Sequence, residues 1–358
     1  LESGREFRDS WDRLLIATGA SPAVPPVEGA KAEGIFTLST LETGIAARRY
    51  VDEFRPRHAV VIGGGYIGLE MAEAFACVRG MKVTLLDKSP QVMNTFDADM
   101  AELIASAIRG IGTDLRLGEG LVGFGTEGGR IRSVITEHGE IETEMVIMGL
   151  GVRPNSGLAG DAGLKLSVRD SIFADETMAT SRPGIWAAGD CASTTHLMTG
   201  KPFWVALGTV ANKMGRVAGI SMGGGRAAFP GVYGTAMSKH CGLEVARTGL
   251  TEREAEENGF RSVSSVIRTK TRAGYYPGAE TMHVKLVGEE GSGRLLGGQI
   301  VGGQGSAKRV DIIATALAGG MTVNNLLELD LGYAPPFSMA WDPVQIAGRE
   351  LLKKTGGE

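Results

Sequence analysis

Residues 63–68 read Gly63-Gly64-Gly65-Tyr66-Ile67-Gly68, a G-x-G-x-x-G run that follows a β-rich stretch at 58–62 and opens a helical pattern. The first glycine permits a tight turn, the second lets the backbone approach a pyrophosphate, and the third lets helix and strand pack closely. A pyrophosphate seated there meets the unpaired N–H groups and positive dipole end of the helix. Asp87 closes the next strand, 19 positions beyond Gly68, where a carboxylate accepts hydrogen bonds from both ribose hydroxyls. This favours NADH, and Lys88 beside it leaves NADPH open. An ordinary glycine turn in an α/β domain is the alternative, but strand, helix and terminal acid in that order weigh against it.

The elements around the turn alternate as an α/β fold requires. The helix is expected to carry Ile67, Met71, Phe75 and Val78 on or near one face, and 82–86 is a second strand. Asp97 is placed to cap a helix carrying Met100, Ile104 and Ile108. Residues 131–136 and the stretch from Ile141 resemble a hairpin turning at His138-Gly139, and 145–150 is a buried strand. Upstream, a short apolar strand ends at Ala17-Thr18-Gly19-Ala20 and gives way to a proline-rich connection. Downstream, a glycine-rich irregular region precedes a helix near 205–220, which ends at Gly223-Gly224-Gly225. Strands at 262–268, 283–287 and 295–301 then alternate with helices in an α+β domain, one helix being tied off by a Thr251–Glu254 capping box.

At 358 residues the chain exceeds what one core usually organises, so two or three domains are expected. A net charge of -4 and no visible basic stripe argue against nucleic acid. No apolar run is long enough for a membrane span, and no signal peptide opens the chain. That second absence carries little weight, because the sequence starts Leu1-Glu2-Ser3 with no initiator Met. Cys77, Cys191 and Cys241 form no C-x-x-C pair, which points to a reducing, cytoplasmic setting without disulfides. The five histidines show no ligand spacing, so no metal is expected. Gly219-Ile220-Ser221-Met222-Gly223 fits the hydrolase elbow G-x-S-x-G, yet a helical pattern precedes it where that elbow needs a strand.

With the nucleotide turn located, residues 12–20, 60–70, 151–155 and 180–190 resemble, in this order, the pyridine nucleotide-disulfide oxidoreductase family. The resemblance covers essentially the whole chain. It implies two Rossmann-like domains, an FAD domain interrupted by the NAD domain, followed by an α+β dimerisation domain. The implied bounds are 1–52 for a partial FAD domain, 53–151 for NAD(H), 152–228 for the rest of the FAD domain and 229–358 for dimerisation. The family's first FAD fingerprint and its redox cysteine both lie upstream of the matched region, and neither is found here.

The resemblance also implies site residues. Gly189 and Asp190 match the motif whose Asp accepts a hydrogen bond from the FAD ribityl chain, and Ala17, Thr18 and Gly19 match a turn near its adenosine. Ala206 and Leu207 belong to a segment bordering the flavin ring, and Gly151 completes the NAD set of Gly63, Gly65, Tyr66, Ile67, Gly68 and Asp87. Tyr66 matches a gate over the flavin and Glu70 a carboxylate that helps place the nicotinamide; a packed helix residue and a solvated charge are the plainer readings. Cys191 beside Asp190 reads as a small packing residue.

The segment 330–343, with Tyr333-Ala334-Pro335-Pro336, is similar to coenzyme A-disulfide, persulfide and polysulfide reductases. Tyr333 and one of Tyr275 and Tyr276 match tyrosines that reach the partner subunit's active site, where a phenol serves a departing thiolate; packing of the dimer interface is the alternative. The implied activity passes hydride from NADH through FAD to a sulfur acceptor, in a homodimer acting on a small thiol or disulfide. An NADH oxidase or peroxidase, or a non-catalytic nucleotide-binding dimer, are the rival readings.

Overall fold

In the computed structural model, which describes residues 6 and 8–356, the apolar run His58–Ile62 is the central strand of a five-stranded sheet. The outer limits of the expected first and last domains, 1 and 358, lie outside the described residues. A strand covered on both faces needs apolar side chains in succession rather than in alternation. Ala59, Val60, Val61 and Ile62 meet that need and divide between two cores. Ala59 and Val61 join Leu69, Met100, Ile104 and Ile108 of the helices, whereas Val60 and Ile62 join Phe124, Ile131, Val134 and Ile141. The strands run in the order Ile35–Phe36, Met145–Met148, His58–Ile62, Lys82–Asp87 and Asp114–Leu117, all neighbours parallel. The expected hairpin is two strands of the antiparallel meander Leu121–Glu127, Arg130–Thr136 and Gly139–Glu142.

Two expectations near the glycine turn are corrected. The helix after the glycine turn is an α-helix only over Tyr66–Glu73 and continues as a π-turn over Ala74–Val78. The wider turn shifts the periodicity, so Phe75 stays in the core while Val78 is 77% exposed, and Leu69 and Ala72 seal the helix against the sheet. Asp97 does occupy the N-cap position of Ala98–Gly110, but its side chain makes no cap hydrogen bond. Its carboxylate accepts instead from Gln299 Nε2 at 2.5 Å and pairs with Lys285 Nζ at 3.2 Å.

Those partners belong to the C-terminal segment, a five-stranded antiparallel sheet in the order Ala236–His240, Leu243–Gly249, Leu295–Gly302, Thr281–Glu289 and Ser262–Lys270. Helices Val310–Ala318, Val323–Leu327 and Pro343–Thr355 accompany it. The Thr251–Glu254 capping box forms as expected, and Glu254 also receives a forked ion pair from buried Arg247. The nucleotide-binding sheet and this domain make one compact unit, Pro22–Gly151 with the segment from Tyr233 onward; residues up to Ser21 with Val152–Val232 make another.

His240 ends the first strand of the C-terminal sheet, fully buried, with neither ring nitrogen partnered among the described residues. Burial lowers its pKa to about 4, so the fold holds the neutral ring while an unfolded chain binds a proton below about 6.5. Stability contributed by neutral His240 is present above the unfolded pKa and lost as pH falls toward 4. His240→Phe is expected to remove up to about 3 kcal/mol of that pH dependence between pH 7 and 4, read from urea unfolding at several pH values. An unchanged pH slope would count against this assignment.

In the smaller unit, strands Leu14–Ile16 and Ile185–Ala187 pair in parallel. The helix expected from 205 begins at Gly208, because Leu207 is extended, and runs to Met222 with Val210, Met214, Val217 and Ala218 in the core. Ser221 of the rejected hydrolase motif therefore lies in the last turn of a helix. Buried Cys191 donates weakly from Sγ to the carbonyls of Ile16 and Ala188, a packing role. Among the described residues no helix is long and apolar enough to cross a membrane.

Candidate active site

The nucleotide turn gathers at the carboxyl edge of the parallel sheet, where ligands of such sheets bind. Gly63 follows the central strand at φ +106°, a conformation that suits glycine, and its N–H donates to Leu86 O at 2.8 Å. A Cβ on Gly63 would strike the carbonyl of Gly149, at the end of the adjacent strand Met145–Met148, and one on Gly68 would overlap the carbonyl oxygen of Gly63. Gly65 differs: nothing lies within 4 Å of the position its Cβ would take. Gly65 is the N-cap of Tyr66–Glu73 and has no side chain to cap it, so the first N–H groups of that helix remain for an anion. Gly151 sits two residues beyond Gly149 at φ +83° and accepts from Ala23 N.

Asp87 has a second task that the motif alone does not reveal. Its Oδ2 accepts from Gly64 N at 2.7 Å and its Oδ1 from Ser89 N at 2.8 Å, so the carboxylate fixes the glycine turn at the end of its strand. Asp87→Ala is expected to weaken NADH binding about 10- to 100-fold, through loss of a charge-assisted hydrogen bond to the turn and of the ribose acceptor. Fluorescence titration with NADH reads the effect, and an unchanged Kd would contradict it.

In the smaller unit, too, two turns leave the carboxyl ends of neighbouring parallel strands. Ala17, Thr18 and Gly19 leave strand Leu14–Ile16, and Gly189 and Asp190 leave Ile185–Ala187, its parallel neighbour. Asn155 stitches the first turn down: its Nδ2 donates to Thr18 O at 2.8 Å, its N–H to Gly19 O at 2.9 Å, and Thr18 Oγ1 donates to its carbonyl at 2.5 Å. Gly189 takes φ +81°, which turns Asp190 away from the strand. Asp190 is half-buried, its carboxylate makes no hydrogen bond among the described residues, and burial pushes its pKa up. Half-buried Ala206 and Leu207 lead into Gly208–Met222, a second helix N-terminus without a side-chain cap.

The remaining expected residues lie in the larger unit. Tyr66 packs against its main core, burial raising its pKa and a hydrogen bond with the Thr95 side chain lowering it in part, as the packed reading implies. Exposed Glu70 accepts from Ser238 Oγ at 2.8 Å. Tyr275 and Tyr333 are 79% and 52% exposed, and a hydrogen bond with the Tyr333 side chain raises the Tyr275 pKa. Of the two adjacent tyrosines, Tyr275 is the one that meets Tyr333.

Residues 1–215 match the family described as pyridine nucleotide-disulphide oxidoreductase, and 235–343 match that family's dimerisation domain. The chain belongs to the pyridine nucleotide-disulphide oxidoreductases. It is 39% identical to the NAD(P)H coenzyme A polysulfide/persulfide reductase of Pyrococcus horikoshii over 98% of this chain and 78% of that one. A protein of Methanocaldococcus jannaschii named NADH oxidase is 37% identical over 99% of this chain and 78% of its own length. The solved NAD-dependent persulfide reductase from A. fulgidus superposes with a TM-score of 0.92 at 40% identity, covering 96% of this chain. The chain spans 63% of the length of that solved protein.

Members of this oxidoreductase family use FAD and NAD(P)H, and the residues present fit both. Asp190, half-buried with its carboxylate unpartnered among the described residues, has the chemistry of an acceptor for a hydroxyl, and the uncapped helix N-terminus at Gly65 that of a seat for an anion. Among the described cysteines, Cys241 is held as a thiol, burial pushing its pKa up to about 12. Asn155, Arg247 and Lys285 act on partners far along the chain, Thr18, Thr95 and Asp99, which local spacing does not reveal; Asn155 alone fell within a recognised stretch, 151–155, with no part assigned to it.

Proposed function

We propose that this chain is the NADH-oxidising, sulfur-reducing part of a homodimeric flavoprotein, taking two electrons from NADH and delivering them to CoA disulfide, a persulfide or a polysulfide. Bound FAD supplies the two-electron relay between nicotinamide and sulfur. The turn Gly63, Gly65, Tyr66, Ile67 and Gly68 binds the NADH pyrophosphate, Asp87 its ribose and Gly151 the adjoining edge, while Glu70 orients the nicotinamide. Ala17, Thr18, Gly19, Gly189, Asp190, Ala206 and Leu207 hold FAD.

The observation that carries the sulfur acceptor is the hydrogen-bonded pair Tyr275 and Tyr333. Reduction of a disulfide by a hydride and a proton yields two thiols, so a departing thiolate needs a proton. Tyr275 is a phenol at neutral pH, its pKa raised further by the hydrogen bond with Tyr333, and so carries a proton for that thiolate, and Tyr276 stands beside it. The names of the Pyrococcus and A. fulgidus relatives support the acceptor class. Exposed Tyr275, Phe337, Tyr333 and Trp341 suit burial against a second copy, in keeping with the dimerisation-domain match. Three free cysteines suit the reducing cytoplasm.

Tyr333→Phe is expected to lower turnover of CoA disulfide about 100-fold. Steady-state NADH oxidation with CoA disulfide, with polysulfide and with dioxygen alone tests the reading. Rapid oxidation in air that ignores the sulfur acceptors, and a Tyr333→Phe variant with unchanged turnover, would place the protein with the NADH oxidases instead.

A further inference from the structure

Both tyrosines stand on exposed loops, so their own side chains do little to fix where their hydroxyls lie. The loops are fixed from beneath by a single guanidinium. Arg309, 8% exposed, ends the short turn Ala307–Arg309 and donates from four nitrogen–hydrogen positions. Its Nη2 donates to Thr271 O at 2.8 Å and to Phe337 O at 2.7 Å, its Nη1 to Gly305 O at 2.8 Å, and its Nε to Asp342 Oδ2 at 3.1 Å. Asp342 is buried in turn, accepting from Ser338 Oγ at 3.1 Å and capping Pro343–Thr355 through Val344 N.

The two carbonyls joined by Nη2 bracket the tyrosines. Tyr275 lies four residues after Thr271 and Tyr333 four residues before Phe337. Between these anchors a direct rung, Ala273 N to Pro335 O at 3.3 Å, ties loop to loop. Arg309 binds two loops to each other, and only a planar fork with several fixed donor directions can do so; a lysine ammonium at the end of a flexible stem cannot reach all four acceptors together.

We propose that Arg309 is a positioning residue that sets the Tyr275–Tyr333 hydroxyl pair by clamping the backbones of both loops. Its consequence for catalysis rests on the reading that these tyrosines serve the sulfur acceptor. The inferred clamp itself does not.

The test is a pH titration by 19F NMR of the flavin-loaded full chain containing 3-fluorotyrosine, with resonances assigned by single Tyr→Phe changes. In the unaltered protein Tyr275 is expected to titrate above an ordinary tyrosine. In Arg309→Lys the Tyr275 titration is expected to fall back toward the ordinary value, with buried Tyr50 unchanged. Turnover with CoA disulfide is expected to fall about tenfold while reduction of the flavin by NADH keeps its rate. Asp342→Asn, which retains a helix cap but loses the charge facing Arg309, is expected to lower the Tyr275 titration in part. A folded Arg309→Lys whose Tyr275 titrates as in the unaltered protein overturns the proposal. Should Arg309→Lys fail to fold, an unaltered Tyr275 titration in Asp342→Asn overturns it. A lowered Tyr275 titration in Arg309→Lys together with normal turnover in Tyr333→Phe supports the clamp and rejects the acid role of the tyrosines.

Discussion

Gly68→Ala is expected to abolish NADH binding and to destabilise the nucleotide-binding core by about 3 kcal/mol or more. Two effects oppose each other at this position. Glycine inside a helix is worth about 1 kcal/mol less than alanine, so propensity favours the substitution. The added methyl, however, would overlap the carbonyl oxygen of Gly63, which is backbone at a strand end and cannot rotate aside. The clash wins, and relieving it moves the helix away from the turn that the pyrophosphate needs. Gly65→Ala separates folding from binding. Its φ of -85° and the empty surroundings of its Cβ permit alanine without strain. That variant is expected to keep the melting temperature of the parent and still lose at least about tenfold in NADH affinity, because the methyl occupies the approach of the pyrophosphate. Equal losses of stability in the two variants would show that the turn has been misassigned.

Lys285→Met should cost about 3 kcal/mol of unfolding free energy, read as a lower urea midpoint at unchanged slope. Burial works against the charge of Lys285, yet bonds to Glu252 at 2.5 Å and Asp99 at 2.9 Å, with Asp97 at 3.2 Å, hold its pKa above the ordinary lysine value. Asp99 and Glu252 are part-exposed and fall back on water when the ammonium is lost, whereas the Asp97 side chain is 8% exposed and is left as a buried carboxylate without a cation, held only by Gln299 and a backbone N–H. Adding Asp97→Asn to Lys285→Met is therefore expected to restore part of the loss, a coupling measurable in a double-mutant cycle. Independent, additive losses would mean that the pair does not join the nucleotide-binding sheet to the C-terminal sheet in the way described.

What could be read in advance follows the range of the interactions. The glycine turn, the parallel strand at His58–Ile62 and the Thr251 capping box depend on neighbours within a few positions, and the sequence displays them directly. Asp97 looked like a helix cap because local spacing offers nothing else; its true partner Gln299 is 202 positions away. Val78 was misplaced because apolar spacing does not show where an α-helix loosens into a π-turn. The site shows the same division. Asp87 was visible as an acid at a strand end, but its grip on Gly64 and Ser89 was not. Two adjacent tyrosines are indistinguishable as letters, and only the fold brings Tyr275 to Tyr333. A buried arginine such as Arg309 reads in sequence like any solvated one, since its four acceptors come from separate segments.

The central claim is that NADH seated at the turn Gly63 to Gly68 delivers its electrons to bound FAD in this protein. Anaerobic stopped-flow addition of one equivalent of NADH to the flavin-loaded protein measures it directly, through bleaching of the flavin absorbance. The expected result is rapid, stoichiometric bleaching in the unaltered protein and bleaching slowed at least about tenfold in a folded Gly65→Ala protein at the same NADH concentration, when that concentration lies well below the weakened Kd. Bleaching at equal rate and extent in both, or an unaltered protein that binds NADH while its flavin stays oxidised, would contradict the claim.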